Sequence, residues 1–277
     1  MSTRTILSKD NTRLKELRKA LAASGRDTRP LAAIEGPKML EEALRAELCV
    51  ATVFVAQGAE DLIEALHLPP DTEILHLPKK LLDAALATET PQPVAALVEL
   101  PQWTWEDVLG LHGTTAPLVV VLAGIQDPGN LGTILRSAEA FGATGIVSLP
   151  GTVKARNSKA VRASAGSVFR VPLITAGERE CFERMREAGV KILATAVRGA
   201  QPANQAGMAE PVALLIGNEG SGVPGNLAAK ADVKITIPCP GPVESLNAAV
   251  ATGVLLYEAA RQRATHQSVR GKARSAR

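Results

Sequence analysis

Leu118-Val119-Val120-Val121-Leu122-Ala123 is a run without one polar side chain, and the turn Asp127-Pro128-Gly129-Asn130 follows shortly after it. A short, unbroken apolar run bounded by a turn is what a strand covered on both faces requires, and such strands belong to parallel sheets flanked by helices. Beyond the turn, Leu131, Ile134, Leu135 and Ala138 recur at helical spacing, which predicts a helix over 131–141 with one buried stripe. Asn130 is well placed to cap that helix. The alternation continues with strands at 146–149, 191–196, 212–216 and 233–237 and helices near 158–165 and 178–188. A long helix from about Leu246 to Arg263 closes the pattern. An α/β domain over 117–263 is the expectation.

The first hundred residues alternate separately. Leu14, Leu17 and Leu21 mark a helix; strands follow at 31–34, 52–55, 73–77 and 94–100, with helices at 36–48, 61–66 and 78–87 between them. Pro37 suits a first helical turn. Residues 1–100 therefore read as a small α/β domain with its own core, and 101–116, carrying Trp103, Trp105 and a Gly113-Thr114-Thr115 loop, as a linker. Residues 264–277 are small, polar and basic, and are expected to lack regular structure. A length of 277 residues accommodates this division.

The net charge of +3 conceals an uneven distribution. Arg4, Lys9, Arg13, Lys15, Arg18 and Lys19 crowd the first helix; Lys154, Arg156, Lys159, Arg162 and Arg170 form a second cluster; Arg261, Arg263, Arg270, Lys272, Arg274 and Arg277 form a third. Each alone reads as a solvated face. Together they favour a polyanionic partner, because Lys and Arg on phosphates release counterions. Aromatic residues are only 3% of the chain, which argues against stacking on single strands and for recognition of folded RNA by shape and backbone. Cys49, Cys181 and Cys239 are odd in number and widely spaced, and the four histidines show no ligand spacing, so neither disulfides nor a metal centre is expected. No apolar run is long enough to span a bilayer, and Met1-Ser2-Thr3-Arg4 does not open a secretory signal. A cytoplasmic, metal-free protein is the expectation.

Ligands of open α/β sheets bind beyond the carboxyl ends of strands, which directs attention to the segments that follow them. Gly217-Asn218-Glu219-Gly220-Ser221-Gly222 follows one apolar strand. It lacks the Gly-Lys-Ser/Thr ending of a triphosphate loop, and no Gly-x-Gly-x-x-Gly follows Leu118–Ala123. Glycines here would let backbone approach a flat ligand. Another strand leads into Ile237-Pro238-Cys239-Pro240-Gly241 and on to Val243-Glu244-Ser245-Leu246-Asn247. Ser245 is a good N-cap for the last helix, whose early turns carry Ala248, Ala249, Ala251 and Gly253.

With Asn130-Leu131-Gly132-Thr133-Ile134-Leu135-Arg136 as the first, these three segments resemble, in order, the motifs of the SpoU (TrmH) branch of the SPOUT RNA methyltransferases. The resemblance implies methyl transfer from S-adenosylmethionine (AdoMet) to a ribose 2′-hydroxyl of structured RNA, most readily ribosomal RNA, by a cytoplasmic homodimer whose SPOUT domain carries a deep trefoil knot. It implies catalytic roles for Asn130, Arg136, Glu219, Ser245 and Asn247, and a cofactor cleft of Thr195, Gly217, Asn218, Gly220, Ile237, Pro238 and Leu246. The N-terminal domain, with Ser8, Asn11, Lys15 and the Ile34-Glu35-Gly36 turn, resembles the ribosomal-protein-like substrate-binding domains attached to many SpoU enzymes. Lys9, Arg13, Lys15 and Arg162 are the RNA-binding candidates, Arg162 lying in a segment that resembles a loop and helix beside the RNA entrance. A guanidinium holds its proton to a pKa above 12, so Arg136 as a general base needs strong perturbation, whereas holding the ribose oxygen and its phosphate asks less of it. The resemblance permits both.

Three other readings compete. A non-catalytic RNA-binding protein has no need of all five catalytic candidates. A transfer-RNA 2′-O-methyltransferase differs only in substrate. A nucleotide-dependent oxidoreductase lacks its fingerprint.

Overall fold

The computed structural model describes residues 2–22, 31–197, 199–242 and 245–275, which form two compact units. Residues 1–102 and Lys154–Arg170 make the first; Trp103–Val153 and Val171–Arg277 make the second.

In the first unit, β1 (Ser2–Thr5), α1 (Thr12–Ala22), β2 (Leu31–Glu35), α2 (Pro37–Arg45), β3 (Val50–Ala56), α3 (Asp61–Glu64), β4 (Glu73–Leu77), α4 (Lys79–Leu86) and β5 (Val94–Glu99) build a five-stranded sheet of order β1-β4-β3-β5-β2. β4 pairs parallel with β1 and β3, and β5 runs antiparallel to β3 and β2. Leu14, Leu17, Leu40, Phe54, Leu75 and Leu97 are fully buried in its core. β1 has no apolar alternation and was not expected; it is an exposed edge strand held by its backbone ladder and by the Arg4–Glu73 ion pair.

The second unit contains α5 (Trp105–Val108), β6 (Leu118–Ala123), α6 (Pro128–Ala140) and β7 (Gly145–Ser148). After α7 (Ser158–Ser164), which belongs to the first unit, come β8 (Leu173–Thr175), α8 (Glu178–Glu187), β9 (Lys191–Thr195) and β10 (Gln201–Pro202). β11 (Val212–Gly217), α9 (Gly225–Ala228), β12 (Val233–Thr236) and α10 (Ala248–Ser275) complete it. The seven strands, ordered β10-β12-β9-β11-β6-β7-β8, are parallel throughout. Every residue of β6 and β11 is buried, as the polar-free runs require. α10 packs on α6, where the Phe141 and Tyr257 rings meet edge to face with centroids 5.8 Å apart.

Three boundaries differ from the sequence reading. Lys154–Arg170, expected within the 117–263 domain, packs on the N-terminal unit: α7 buries Ala160 and Val161 and contacts β2 and α1. Ser158 donates to the Leu21 carbonyl at 3.3 Å, and Arg170 pairs with Glu42 at 2.9 Å. Trp103 onward is part of the second unit, not a linker, because a capping box between Thr104 and Asp107 starts α5 and Val108 enters the core. The helix expected to end near Arg263 runs to Ser275, where the sequence reading expected no regular structure.

Candidate functional site

The site is assembled where β6 and β11 end side by side, with Ala123 in register with Gly217. Gly124 follows β6 with a φ of +79°, a conformation that favours glycine. Thr152 holds that turn: its hydroxyl donates to the Leu122 carbonyl and accepts from the Gly124 N–H, both at 3.0 Å. Across from it, the Asn218 side chain donates to the Gly124 carbonyl at 2.8 Å and accepts from the Gly220 N–H at 2.8 Å. The Asn218 and Gly222 backbones exchange two hydrogen bonds, of 3.1 and 2.9 Å, closing residues 218–222 into a tight turn. A Cβ on Gly217 would lie 1.9 Å from the Gly222 carbonyl carbon. The chain's own return thus forbids a side chain at Gly217, before any ligand is considered.

The first motif is organised differently from the expectation. Asp127, not Asn130, caps α6: its carboxylate accepts from the Asn130 N–H at 2.7 Å, with Pro128 in the first turn. That leaves the Asn130 side chain free for tertiary contacts. Its Nδ2 donates to Glu219 Oε1 at 2.7 Å, and its Oδ1 accepts from Asn247 Nδ2 at 3.0 Å. Asn247 Oδ1 in turn accepts from the Ala249 and Val250 N–H groups at 2.9 and 3.3 Å. Asn247 is therefore the cap of α10, in place of Ser245, because its side chain reaches the free donors of the first turn. The polarity of the relay is determined at both ends. A carboxylate only accepts and helix N–H groups only donate, so each amide can face one way.

Asn130, Glu219 and Asn247 are thus brought together. Arg136 is exposed on the third turn of α6 and makes no ion pair among the described residues; Ser245 is exposed, two residues ahead of the cap. Val243 and Glu244 lie outside the described residues. Among the cofactor candidates, Asn218 is engaged at both ends of its amide and at its backbone, which pairs with Gly222, so its contacts hold the turn. Thr195 is half-buried, its hydroxyl donating to the Leu215 carbonyl at 3.2 Å, at the end of a strand that lies between β12 and β11. Ile237 and Leu246 are half-buried and Pro238 is exposed. Apolar surface left open at adjoining strand ends, beside glycine backbone, fits the adenine ring and ribose of AdoMet. Asp127 was legible as an N-cap before Pro128; Thr152 carried no signal, being separated from Leu122 by 30 residues.

In the first unit, the four basic candidates fall into two kinds. Lys9 is exposed, and Lys15 is exposed beside Asp10 at 3.1 Å. Arg13 is engaged by Glu73 and Glu16, each at 2.9 Å, and Arg162 stands 3.8 Å from Glu35. Arg263, read as a member of the C-terminal basic cluster at the end of the last helix, is an internal brace of the second unit. Its guanidinium donates to the carbonyls of Ala116, Pro117, Met208 and Glu210 at 2.5, 2.7, 3.1 and 3.1 Å. Among the described residues no group of three His, Cys, Asp or Glu could hold a metal ion, and no helix is long and apolar enough to cross a membrane.

Residues 117–257 match the SpoU rRNA methylase family, and residues 11–96 match the MRM3-like substrate binding domain. Among curated relatives, the chain is 33% identical to the 23S rRNA (guanosine(2553)-2′-O)-methyltransferase RlmP of Bacillus subtilis, over 91% of this chain and 97% of that one. Among solved structures, it resembles the AdoMet-bound rRNA methyltransferase from Sinorhizobium meliloti with a TM-score of 0.79 and 31% identity, covering 94% of this chain and 98% of the other. The SpoU methyltransferase AviRb from Streptomyces viridochromogenes, in complex with AdoMet, also gives a TM-score of 0.79, at 28% identity over 91% of this chain and 98% of that one.

Proposed function

The chain belongs to the SpoU rRNA methylase family, and from that premise we propose which residues of this AdoMet-dependent RNA methyltransferase act on a ribose 2′-hydroxyl of ribosomal RNA. The observation that carries the assignment is the Glu219–Asn130–Asn247 relay, which joins all three motifs at the ends of β6 and β11. AdoMet, when bound, supplies an electrophilic methyl group. Thr195, Ile237, Pro238, Leu246 and the backbone of Gly217, Asn218 and Gly220 would hold it. Asn130 is a positioning residue that sets the Glu219 turn against the start of α10. Arg136, exposed and without an internal acid, grips the target ribose oxygen and its flanking phosphate and stabilises the negative charge that develops on that oxygen. Ser245 is assigned to the ribose side of the same cleft.

The N-terminal unit docks the RNA through Lys9 and Lys15, with Arg13 and Arg162 shaping that surface through their acid partners. Val250, Val254 and Tyr257 are 52%, 42% and 57% exposed at helical spacing on α10. That apolar stripe supports a homodimer in which a second copy covers it. The return of the chain from β12 to the start of α10, beside Asn130, supports a trefoil knot. A cytoplasmic location follows from the ribosomal substrate.

The test is single-turnover methylation of unmodified 23S rRNA with labelled AdoMet, followed by mapping of the modified ribose. Arg136→Ala should lose at least a hundredfold in rate while still binding AdoMet. Lysine at the same position should restore little, since it keeps the charge but loses the planar fork. An alanine variant that methylates at the wild-type rate would overturn the role of Arg136.

A further inference from the structure

Methyl transfer to a hydroxyl releases a proton, and some group must take it. Arg136 is unsuited to that task, because a guanidinium carries only donors and holds its proton to a pKa above 12. The segments that meet around the ends of β6 and β11 are 124–136, 217–224, 237–242 and 245–250. Besides Arg136, their titratable side chains are Asp127, Glu219 and Cys239.

Two of these three are committed elsewhere. The Asp127 carboxylate caps α6 through the Asn130 N–H at 2.7 Å, and the Cys239 thiol donates its own proton to the Ile237 carbonyl at 3.4 Å. Glu219 is held differently. It is exposed in the turn after β11, and its Oε1 accepts from Asn130 Nδ2 at 2.7 Å. Its Oε2 has no hydrogen-bond or ion-pair partner among the described residues. An amide donor orients a carboxylate without neutralising it, as a lysine or arginine partner would. Asn130 is itself fixed by Asn247, whose side-chain oxygen is bound by the first N–H groups of α10. Every donor in this relay points the same way, and the last acceptor is Glu219. The result is an oriented anion on an exposed turn with one oxygen unclaimed.

We propose that Glu219 Oε2 is the general base of the reaction, taking the proton of the target 2′-hydroxyl while Arg136 holds the same ribose oxygen and its flanking phosphate. The proposal rests on the reading of this site as one that acts on a ribose 2′-hydroxyl of ribosomal RNA, and it gives that reading a proton acceptor. A lone pair of the 2′-oxygen forms the new bond to the methyl carbon. The carbon–sulfur bond breaks with its electron pair passing to sulfur, and the O–H bond breaks with its proton passing to Oε2. The sulfonium charge is discharged by the electron pair and the carboxylate charge by the proton. Being exposed, the carboxyl group returns that proton to water before the next turnover.

Glu219→Gln separates this role from a structural one. The amide oxygen must face the Asn130 donor, which keeps the relay and puts NH₂ where Oε2 was. Single-turnover methylation of 23S rRNA should fall roughly a hundredfold or more, as for loss of a positioned base, with AdoMet and RNA affinities unchanged. In Glu219→Ala, added acetate should restore rate, and chloroacetate, a weaker base, should restore several times less, because proton transfer follows basicity. A binding measurement needs no turnover. RNA with a 2′-amino group at the mapped ribose, largely protonated at about pH 5.5, should lose roughly tenfold in affinity on Glu219→Gln, relative to unmodified RNA. A glutamine variant at the wild-type rate, or one whose lost rate is matched by lost AdoMet or RNA affinity, overturns the proposal. So does equal or absent rescue by the two carboxylates, or an amino-RNA affinity indifferent to the substitution. A wild type that transfers no methyl group to 23S rRNA overturns the underlying reading instead.

Discussion

Asn130 accepts a hydrogen bond from Asn247 at 3.0 Å across 117 residues of sequence, and that one contact ties the first turn of α6 to the cap of α10. With Glu219 on its other side at 2.7 Å, Asn130 is the middle of a relay with a single permitted polarity.

Asn130→Asp tests the relay. It would set a second carboxylate against Glu219, and two carboxylates at hydrogen-bond distance share a proton, raising the apparent pKa of the pair. Turnover should fall tenfold or more at pH 8 and recover in part as the pH drops, when the shared proton restores a donor. A pH–rate profile of the wild-type shape would remove Glu219 from the partners of Asn130.

Gly217→Ala should destabilise the protein without cofactor, because the new Cβ would meet the Gly222 backbone at 1.9 Å. A loss of about 1–3 kcal/mol is expected from forced overpacking. The measurement is denaturant unfolding without AdoMet. An unchanged midpoint would return Gly217 to a role concerned only with the ligand.

Arg263→Met removes a guanidinium that serves four carbonyl groups. Burial lowers the pKa of this arginine, in keeping with a structural place. Stability should fall by about 2–4 kcal/mol as the carbonyls lose their donors. The salt dependence of RNA binding should not change, whereas loss of a phosphate contact would reduce its slope by about one unit.

Val254→Glu places a charge in the exposed stripe of α10 between Val250 and Tyr257. With the dimer proposed above, the wild type should sediment as a dimer and the variant as a monomer. A dimer that survives the substitution would locate the interface elsewhere.

Burial, with the negative charge of Glu180 adding to it, pushes the Cys181 thiol from 9.0 up to about 12. The unfolded thiol ionises first, so the stabilising term is complete below pH 9 and is lost as the pH rises toward 12. Denaturant midpoints should fall across that window, and Cys181→Ala should flatten the decline. In the native protein at pH 8, Cys49 and Cys239, both exposed, should react with a thiol reagent while Cys181 does not.

What the sequence determined by itself was whatever local patterning encodes. The polar-free runs of β6 and β11 required strands buried on both faces, and the stripe of α6 required a helix between parallel strands. Caps were harder to place. Asp127 outcompetes Asn130, and Asn247 outcompetes Ser245, because a cap is decided by which oxygen reaches the free N–H groups, and residues a few positions apart have similar propensities. Only the tertiary structure could show that Asn130 faces Glu219 and Asn247, or that Arg263 ends on carbonyls from two distant loops. It alone also placed Lys154–Arg170 on the N-terminal sheet. Hydrophobic periodicity says that a helix such as α7 must bury a face. It does not say against which partner, because apolar burial is non-directional and the partner is chosen by packing across the whole chain.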